Sequence, residues 1–140
     1  MRSIAVLIAA VCLALPAGAA GRTHSGPSFA FGRVGGNIAP FTVEIRADGT
    51  VASSGQVRLA HPTLRLSRAR LAGLARRART QRFGALPAVI RCRGSLPDFA
   101  MDFVTIRTAA GTQTTKVRGD CSARFARVYA SLETAAAVVR

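Results

Sequence analysis

The 140 residues contain no tryptophan, one tyrosine, two histidines and a single lysine, Lys116. Each shortage removes a class of function. With so few large aromatics, and none interleaved with the arginines, the chain lacks the stacking platform that single-stranded nucleic acids require. His24 falls in a segment that reads as a mobile N-terminus, and His61 stands in a loop beside Pro62. Neither has a nucleophile context such as G-x-S-x-G, so both read as ordinary solvated histidines. Zincin, P-loop and Rossmann glycine patterns are also missing.

Acidic residues are scarce too, six against 20 basic ones. Asp48 belongs to a hairpin turn, Asp120 to a helix start, and Glu44 and Glu133 to exposed faces. Asp98 reads as a turn residue after Pro97. The nearest carboxylate pair is Asp98 with Asp102. On one strand their four-residue spacing is about 13 Å, too wide for the paired carboxyls of glycoside hydrolysis at about 5–9.5 Å. The sequence therefore predicts a protein that is not an enzyme and that needs no cofactor or metal.

The one long apolar run, Ile4–Leu15, is too short for a membrane-spanning helix of about 20 residues. Arg2 before it and Ala17-Gly18-Ala19 after it complete the pattern of a secretory signal peptide over residues 1–20. Cleavage after Ala19 or Ala20 would deliver the chain to the cell envelope or the medium, with no transmembrane segment left. An uncleaved anchor is the alternative. Acylation at Cys12 fits less well, because Cys12 follows Val11 inside the apolar run.

Of three cysteines, cleavage would leave Cys92 and Cys121. Two cysteines in an exported chain commonly pair. Closing that ring would remove about 3.6 kcal/mol of unfolded-chain entropy. Two free thiols or half of a metal site are the alternatives. No His, Asp or Glu stands at ligand spacing around either cysteine, which favours the disulfide.

What the chain has in abundance is arginine, giving a net charge of +14. Such charge suits nucleic acid, anionic lipid or an acidic partner. GC-rich coding, which enriches arginine and alanine together, is the plainer explanation. In either case, nonspecific and salt-sensitive polyanion contact is expected, without specific recognition of nucleic acid.

Along the chain, residues 21–27 read as a flexible N-terminus and residues 28–140 as one domain. Phe29, Phe31 and Arg33 alternate in a first strand that ends at Gly35-Gly36. Phe41–Ala47 alternates apolar and polar residues, the period of a strand with one buried face. Asp48-Gly49 is a two-residue hairpin signal returning the chain through Thr50–Leu59, with a bulge or frayed edge at Ser53-Ser54-Gly55. Ser67 predicts a helix N-cap with Leu66 and Leu71 as the hydrophobic staple. The helix runs to about Gln81, with Leu71, Leu74, Ala75 and Ala78 on an arc of about 100°. Its arginines, Arg68, Arg70, Arg76, Arg77, Arg79 and Arg82, spread over the remainder as a solvated surface.

Phe83, Leu86 and Pro87 form a buried turn, and Val89-Ile90 an extended segment leading to Cys92. Pro97-Asp98 turns into a hairpin of Phe99–Thr108 and Thr112–Val117 about Ala109-Ala110-Gly111. Ser122 or Asp120 caps a last helix with Phe125, Val128, Tyr129, Leu132, Ala136 and Val139 at helical spacing. The expected class is α+β: a small antiparallel sheet of about five or six short strands, two helices packed on it, and one disulfide.

This order of features resembles the emfourin family, small bacterial proteins that include an inhibitor of thermolysin-like metallopeptidases. The likeness rests on the strand ending at Gly35-Gly36, the strand ending near Asp48 and the helix with Leu71 and Leu74. It continues through Phe83-x-x-Leu86-Pro87, Pro97-Asp98, the hairpin carrying Phe103, Val104 and Ile106, and the helix with Leu132. The resemblance implies an α+β fold and inhibition of a secreted metallopeptidase. For such a role the loop His61, Pro62, Thr63, Leu64 is the expected target-binding segment, since Pro62 stiffens it and Leu64 has no assigned partner. Leu64 packed beneath the sheet is the alternative. A basic envelope protein that associates with polyanions is the competing function.

Overall fold

The computed structural model describes residues 26–139. The expected signal peptide, His24 and most of the expected flexible segment lie outside the described residues. The elements in order are β1 (Ser28–Val34), β2 (Phe41–Ile45), β3 (Val51–Gly55), β4 (Arg58–Leu59) and α1 (Arg68–Thr80). A 3-10 turn (Phe83–Ala85), β5 (Val89–Arg91), β6 (Met101–Thr108), β7 (Gly111–Arg118), α2 (Ala123–Ala136) and β8 (Val138–Val139) follow. Six strands form one sheet in the order β3-β2-β1-β6-β7-β5, and β4 pairs with β8 beside it. The α+β class is as expected, but the sheet is mixed. Both β5 and β7 run antiparallel to β6, so β5 lies parallel to β7, with Ile90 opposite Val117.

Period-2 alternation decides which face is covered. Phe29 and Phe31 on β1, Val43 and Ile45 on β2, Val104 and Ile106 on β6 and Val117 on β7 point inward and are buried. Leu71, Ala75 and Ala78 of α1, with Phe125, Val128, Tyr129, Leu132 and Ala136 of α2, close over them. Among the described residues no helix covers the opposite face, on which Glu44, Ser54, Arg107 and Lys116 are exposed. Burial of each Val, Leu, Ile or Phe side chain of the inner layer contributes about 1.5–3 kcal/mol.

Local chemistry sets the boundaries. The Ser67 hydroxyl accepts from the Arg70 N–H at 3.3 Å, and Leu66 and Leu71 are both buried, as a capped and stapled helix start requires. Ser122 caps α2 in the same way, accepting from the Phe125 N–H at 3.4 Å.

Four expectations are corrected. The turn after β2 is not the two-residue type. Gly49 N–H donates to the Arg46 carbonyl and Arg46 N–H to the Thr50 carbonyl, leaving residues 47–49 as the loop. Gly49 takes a φ of 89° there, and Asp48 Oδ1 accepts from the Thr50 N–H at 2.9 Å. The return strand ends at Gly55, at the sheet edge, and the chain then bends away so that Arg58–Leu59 pairs with β8 instead. Pro87 is exposed, whereas Phe83 and Leu86 are buried as expected. Val139 is not helical: Ala137 adopts a left-handed conformation, its carbonyl accepts from the Ala60 N–H at 2.8 Å, and Val138–Val139 leaves as β8.

Two of the buried residues are polar, Thr105, whose hydroxyl pairs with that of Thr114 at 2.9 Å, and Thr115. Thr115 is fully buried opposite Val104, and its hydroxyl has no hydrogen-bond partner among the described residues. Thr115→Val should therefore raise stability by about 1 kcal/mol, since a buried unpaired hydroxyl is itself a penalty. A urea midpoint that falls in the variant would show that the hydroxyl is satisfied in solution.

Candidate binding surface

Strand direction brings three connections to one end of the sheet. The β1–β2 loop, the β5–β6 loop and the segment after β7 all leave from the end where Val34 faces Met101 and Arg91 faces Arg118. Gly36, at a φ of 69°, packs directly on the backbone of Asp98 and Ala100, so the first two loops touch where a side chain would not fit. Cys92 and Cys121 are joined in a disulfide with Cα atoms 5.5 Å apart, tying the β5–β6 loop to the approach of α2. The Cys121 N–H also lies 3.0 Å from Cys92 Sγ.

Between Cys92 and β6 the chain makes two successive turns. In the first, the Ser95 N–H and hydroxyl both donate to the Cys92 carbonyl, at 3.1 and 2.7 Å. In the second, the Phe99 N–H donates to the Leu96 carbonyl at 3.1 Å, across Pro97-Asp98. Pro97 presets φ at the second turn position and asparagine-like Asp98 is favoured after it, so the sequence itself specifies this turn. Leu96 and Phe99 stand at its two ends, 54% and 53% exposed, and Ile38 on the facing loop is 55% exposed. These are the three most exposed large apolar side chains of the described residues, and all sit at one end of the sheet.

Just inside this end lies a groove of about 690 Å³ between the sheet and α2. Arg33 and Asp102 meet there, Arg33 Nε donating to Asp102 Oδ1 at 2.8 Å, with Tyr129 and Glu133 alongside. The hydrogen bond to Asp102 raises the Arg33 pKa, burial opposes it, and the acidic groups of Asp102, Tyr129 and Glu133 add to the rise. A raised arginine pKa leaves the pair's contribution intact below the ordinary arginine range and removes it only above the folded value. The pair is therefore no switch near neutral pH. With each side chain about one-third exposed, it contributes at most about 1 kcal/mol.

The segment His61, Pro62, Thr63, Leu64 is placed elsewhere. It is fastened beside the hairpin turn of β2 and β3, where Val51 N–H donates to the Leu64 carbonyl and Leu66 N–H to that of Gly49. His61, Pro62 and Thr63 are exposed, while Leu64 is half-buried against the core. Asp98 is an exposed turn residue, and Asp102 is taken by Arg33, so the two do not act together. Glu133 is half-buried beside Arg33 rather than simply solvated. Among the described residues no group of three or more His, Cys, Asp or Glu could hold a metal, and no helix is long and apolar enough to cross a membrane.

Sequence reasoning missed the exposure of Leu96, Phe99 and Ile38, because Phe99 continues the apolar alternation of β6 by eye. The Arg33–Asp102 pair did leave a signal. Both occupy inward-facing positions, Arg33 in series with Phe29 and Phe31, and Asp102 with Val104 and Ile106. Opposite charges on two inward series predict a cross-strand pair. Comparison with protein-family models, with curated proteins and with solved structures finds no match for this chain.

Proposed function

We propose that the protein is a small exported, non-catalytic binding domain that docks through the Leu96–Phe99 turn, in the manner of a protein inhibitor of a thermolysin-like metallopeptidase. The observation that carries this reading is the pair of exposed apolar side chains on a loop already ordered by a disulfide and two internally bonded turns. An apolar residue held out on such a loop can fill an apolar pocket without the ordering cost of a flexible segment. Thermolysin-like enzymes offer such a pocket on the leaving-group side of the scissile bond. The order of motifs shared with the emfourin family supports the choice of target class.

Inhibition assays on several thermolysin-like peptidases, one from the same organism, test the proposal. Leu96→Ala and Phe99→Ala should each weaken inhibition by about 1–3 kcal/mol, the range for an interface anchor, with thermal stability unchanged. Leu64→Ala should instead lower stability, because that side chain packs against the core. Weaker inhibition by Leu64→Ala at unchanged stability would move the contact to His61–Leu64. If the wild-type protein inhibits none of the enzymes at micromolar concentration, the inhibitor reading is lost.

A further inference from the structure

The two helices carry a strongly one-sided charge. Arg68, Arg70, Arg76, Arg77 and Arg79 lie on α1, which has no acidic residue. Arg124 and Arg127 lie on α2, whose single acid, Glu133, is beside Arg33 in the groove at the sheet end. All seven arginines are exposed. Between the helices runs a second groove, of about 640 Å³, which Arg70, Arg77 and Arg127 line together. Arg70 and Arg77 are two helical turns apart on the same side of α1, so both face α2. Arg127 is held at the groove by its Nε, which donates to Gln81 Oε1 at 3.0 Å. None of the three forms an ion pair among the described residues, so three like charges converge with no internal compensation.

The floor of this groove is mainly apolar, with Leu74, Ala130 and Ala135, and the Ser131 and Thr134 hydroxyls that also line it donate to the Arg127 and Ala130 carbonyls. Gly73 leaves it open, since an added Cβ there would meet no atom within 4 Å. Three cations around an apolar floor fit a ligand that joins an anion to hydrocarbon. Guanidinium groups match phosphate oxygens in paired hydrogen bonds, and arginine stems lie along apolar surface while their heads stay in water. The aromatic rings of α2, Phe125 and Tyr129, are buried in the core, so the surface of the two helices displays no ring for a base to stack on.

We propose that the α1–α2 groove binds the phosphate headgroup of an anionic phospholipid, seating the helical layer on a membrane surface. The surrounding arginines supply the longer-range attraction to that surface. The groove shares no residue with the Leu96–Phe99 turn, and this reading does not depend on the inhibitor proposal.

The test is vesicle co-sedimentation with phosphatidylglycerol–phosphatidylcholine vesicles, and with pure phosphatidylcholine vesicles as reference. The triple variant Arg70→Gln, Arg77→Gln, Arg127→Gln is compared with Arg91→Gln, Arg107→Gln, Lys116→Gln, which removes equal charge from exposed positions on the uncovered sheet face. The groove variant should lose affinity for the anionic vesicles on the order of a hundredfold, and the sheet-face variant much less. Gly73→Glu, which places a carboxylate in open space on the groove floor, should abolish binding without lowering the melting temperature. This keeps the outcome readable if the triple variant folds poorly. Equal losses in both charge-matched variants would overturn the proposal in favour of net charge alone. Wild-type binding to heparin or duplex DNA as tight as to the anionic vesicles, and lost in parallel, would overturn it in favour of general polyanion contact. Failure of the wild type to prefer anionic over neutral vesicles would also overturn it.

Discussion

Replacing Phe31 by alanine is expected to destabilise the fold by about 3–5 kcal/mol, the range for a large aromatic removed from a close-packed core. Phe31 is fully buried on β1, near the middle of the sheet, with Val43 on one side and Val104 on the other. Its ring meets Tyr129 of α2 edge-to-face, with centroids 5.5 Å apart and planes at 82°. The substitution thus opens a cavity where sheet and helix layers meet, and it removes an aromatic pair worth about 0.5–1.5 kcal/mol beyond area burial. Tyr129 has a second tie across the layers, its hydroxyl donating to the Gly32 carbonyl at 3.4 Å, which limits how far α2 can settle into the space. Against a total stability of about 5–15 kcal/mol, such a loss brings many domains near their unfolding threshold. Urea unfolding followed by circular dichroism reads the effect. A loss below about 1 kcal/mol would show that the two layers repack around a smaller residue.

Removing the disulfide by Cys92→Ala with Cys121→Ala is expected to cost about 2–4 kcal/mol. The chain-entropy account gives about 3.6 kcal/mol for a ring of this length, before any relaxation in the native state. Cys92 and Cys121 are separated by 29 residues, and their bridge encloses the whole β6–β7 hairpin. The effect should be felt locally as well as globally. β5 is three residues long, lies at the edge and pairs only with β7, so few other contacts hold the start of the Leu96–Phe99 loop. Amide exchange should therefore rise in residues 93–100 more than in β6 or β7 when the bridge is absent. If the binding proposal holds, affinity should fall with it, because the loop would then have to be ordered on contact. Intact mass with and without reduction before alkylation checks the bond itself. Alkylation of both thiols without reduction would contradict it.

Both effects trace to features of different legibility. That Phe31 is a core residue follows from the alternation of Phe29, Phe31 and Arg33. That it touches Tyr129 does not, because the two are separated by most of the chain and meet only when α2 packs on β1. The pairing of Cys92 with Cys121 was readable as an expectation, since cleavage would leave just these two cysteines. The position of the bridge relative to the exposed turn was not. It depends on β5 entering the sheet parallel to β7, a register that the short apolar segment Val89-Ile90 does not specify.

The candidate binding residues divide in the same way. Pro97-Asp98 announces a turn, and the turn forms with its expected hydrogen bond. Whether Leu96 and Phe99 are buried or displayed depends on what stands opposite. Here the neighbour is the Gly35–Pro40 loop, which touches the backbone of Asp98 and Ala100 without covering the side chains. Leu64 is the converse: its sequence context left it unassigned, and the Thr50–Arg65 bridge turns its segment along β3 so that it packs on the core.

By itself the sequence determined the elements whose signals are local: alternating strands, the Ser67 cap, the staple of Leu66 and Leu71, the places of the hairpins though not the type of the first turn, and a surface rich in arginine. Hydrogen bonds within a few residues and a single apolar period suffice for these. Only the tertiary structure decided the parallel edge strand, the meeting of Phe31 with Tyr129, the display of Leu96 and Phe99, and the convergence of Arg70, Arg77 and Arg127 on one groove. Each joins segments far apart in the chain. Which partners meet is set by the packing of helices on sheet as a whole, and no local preference encodes that choice.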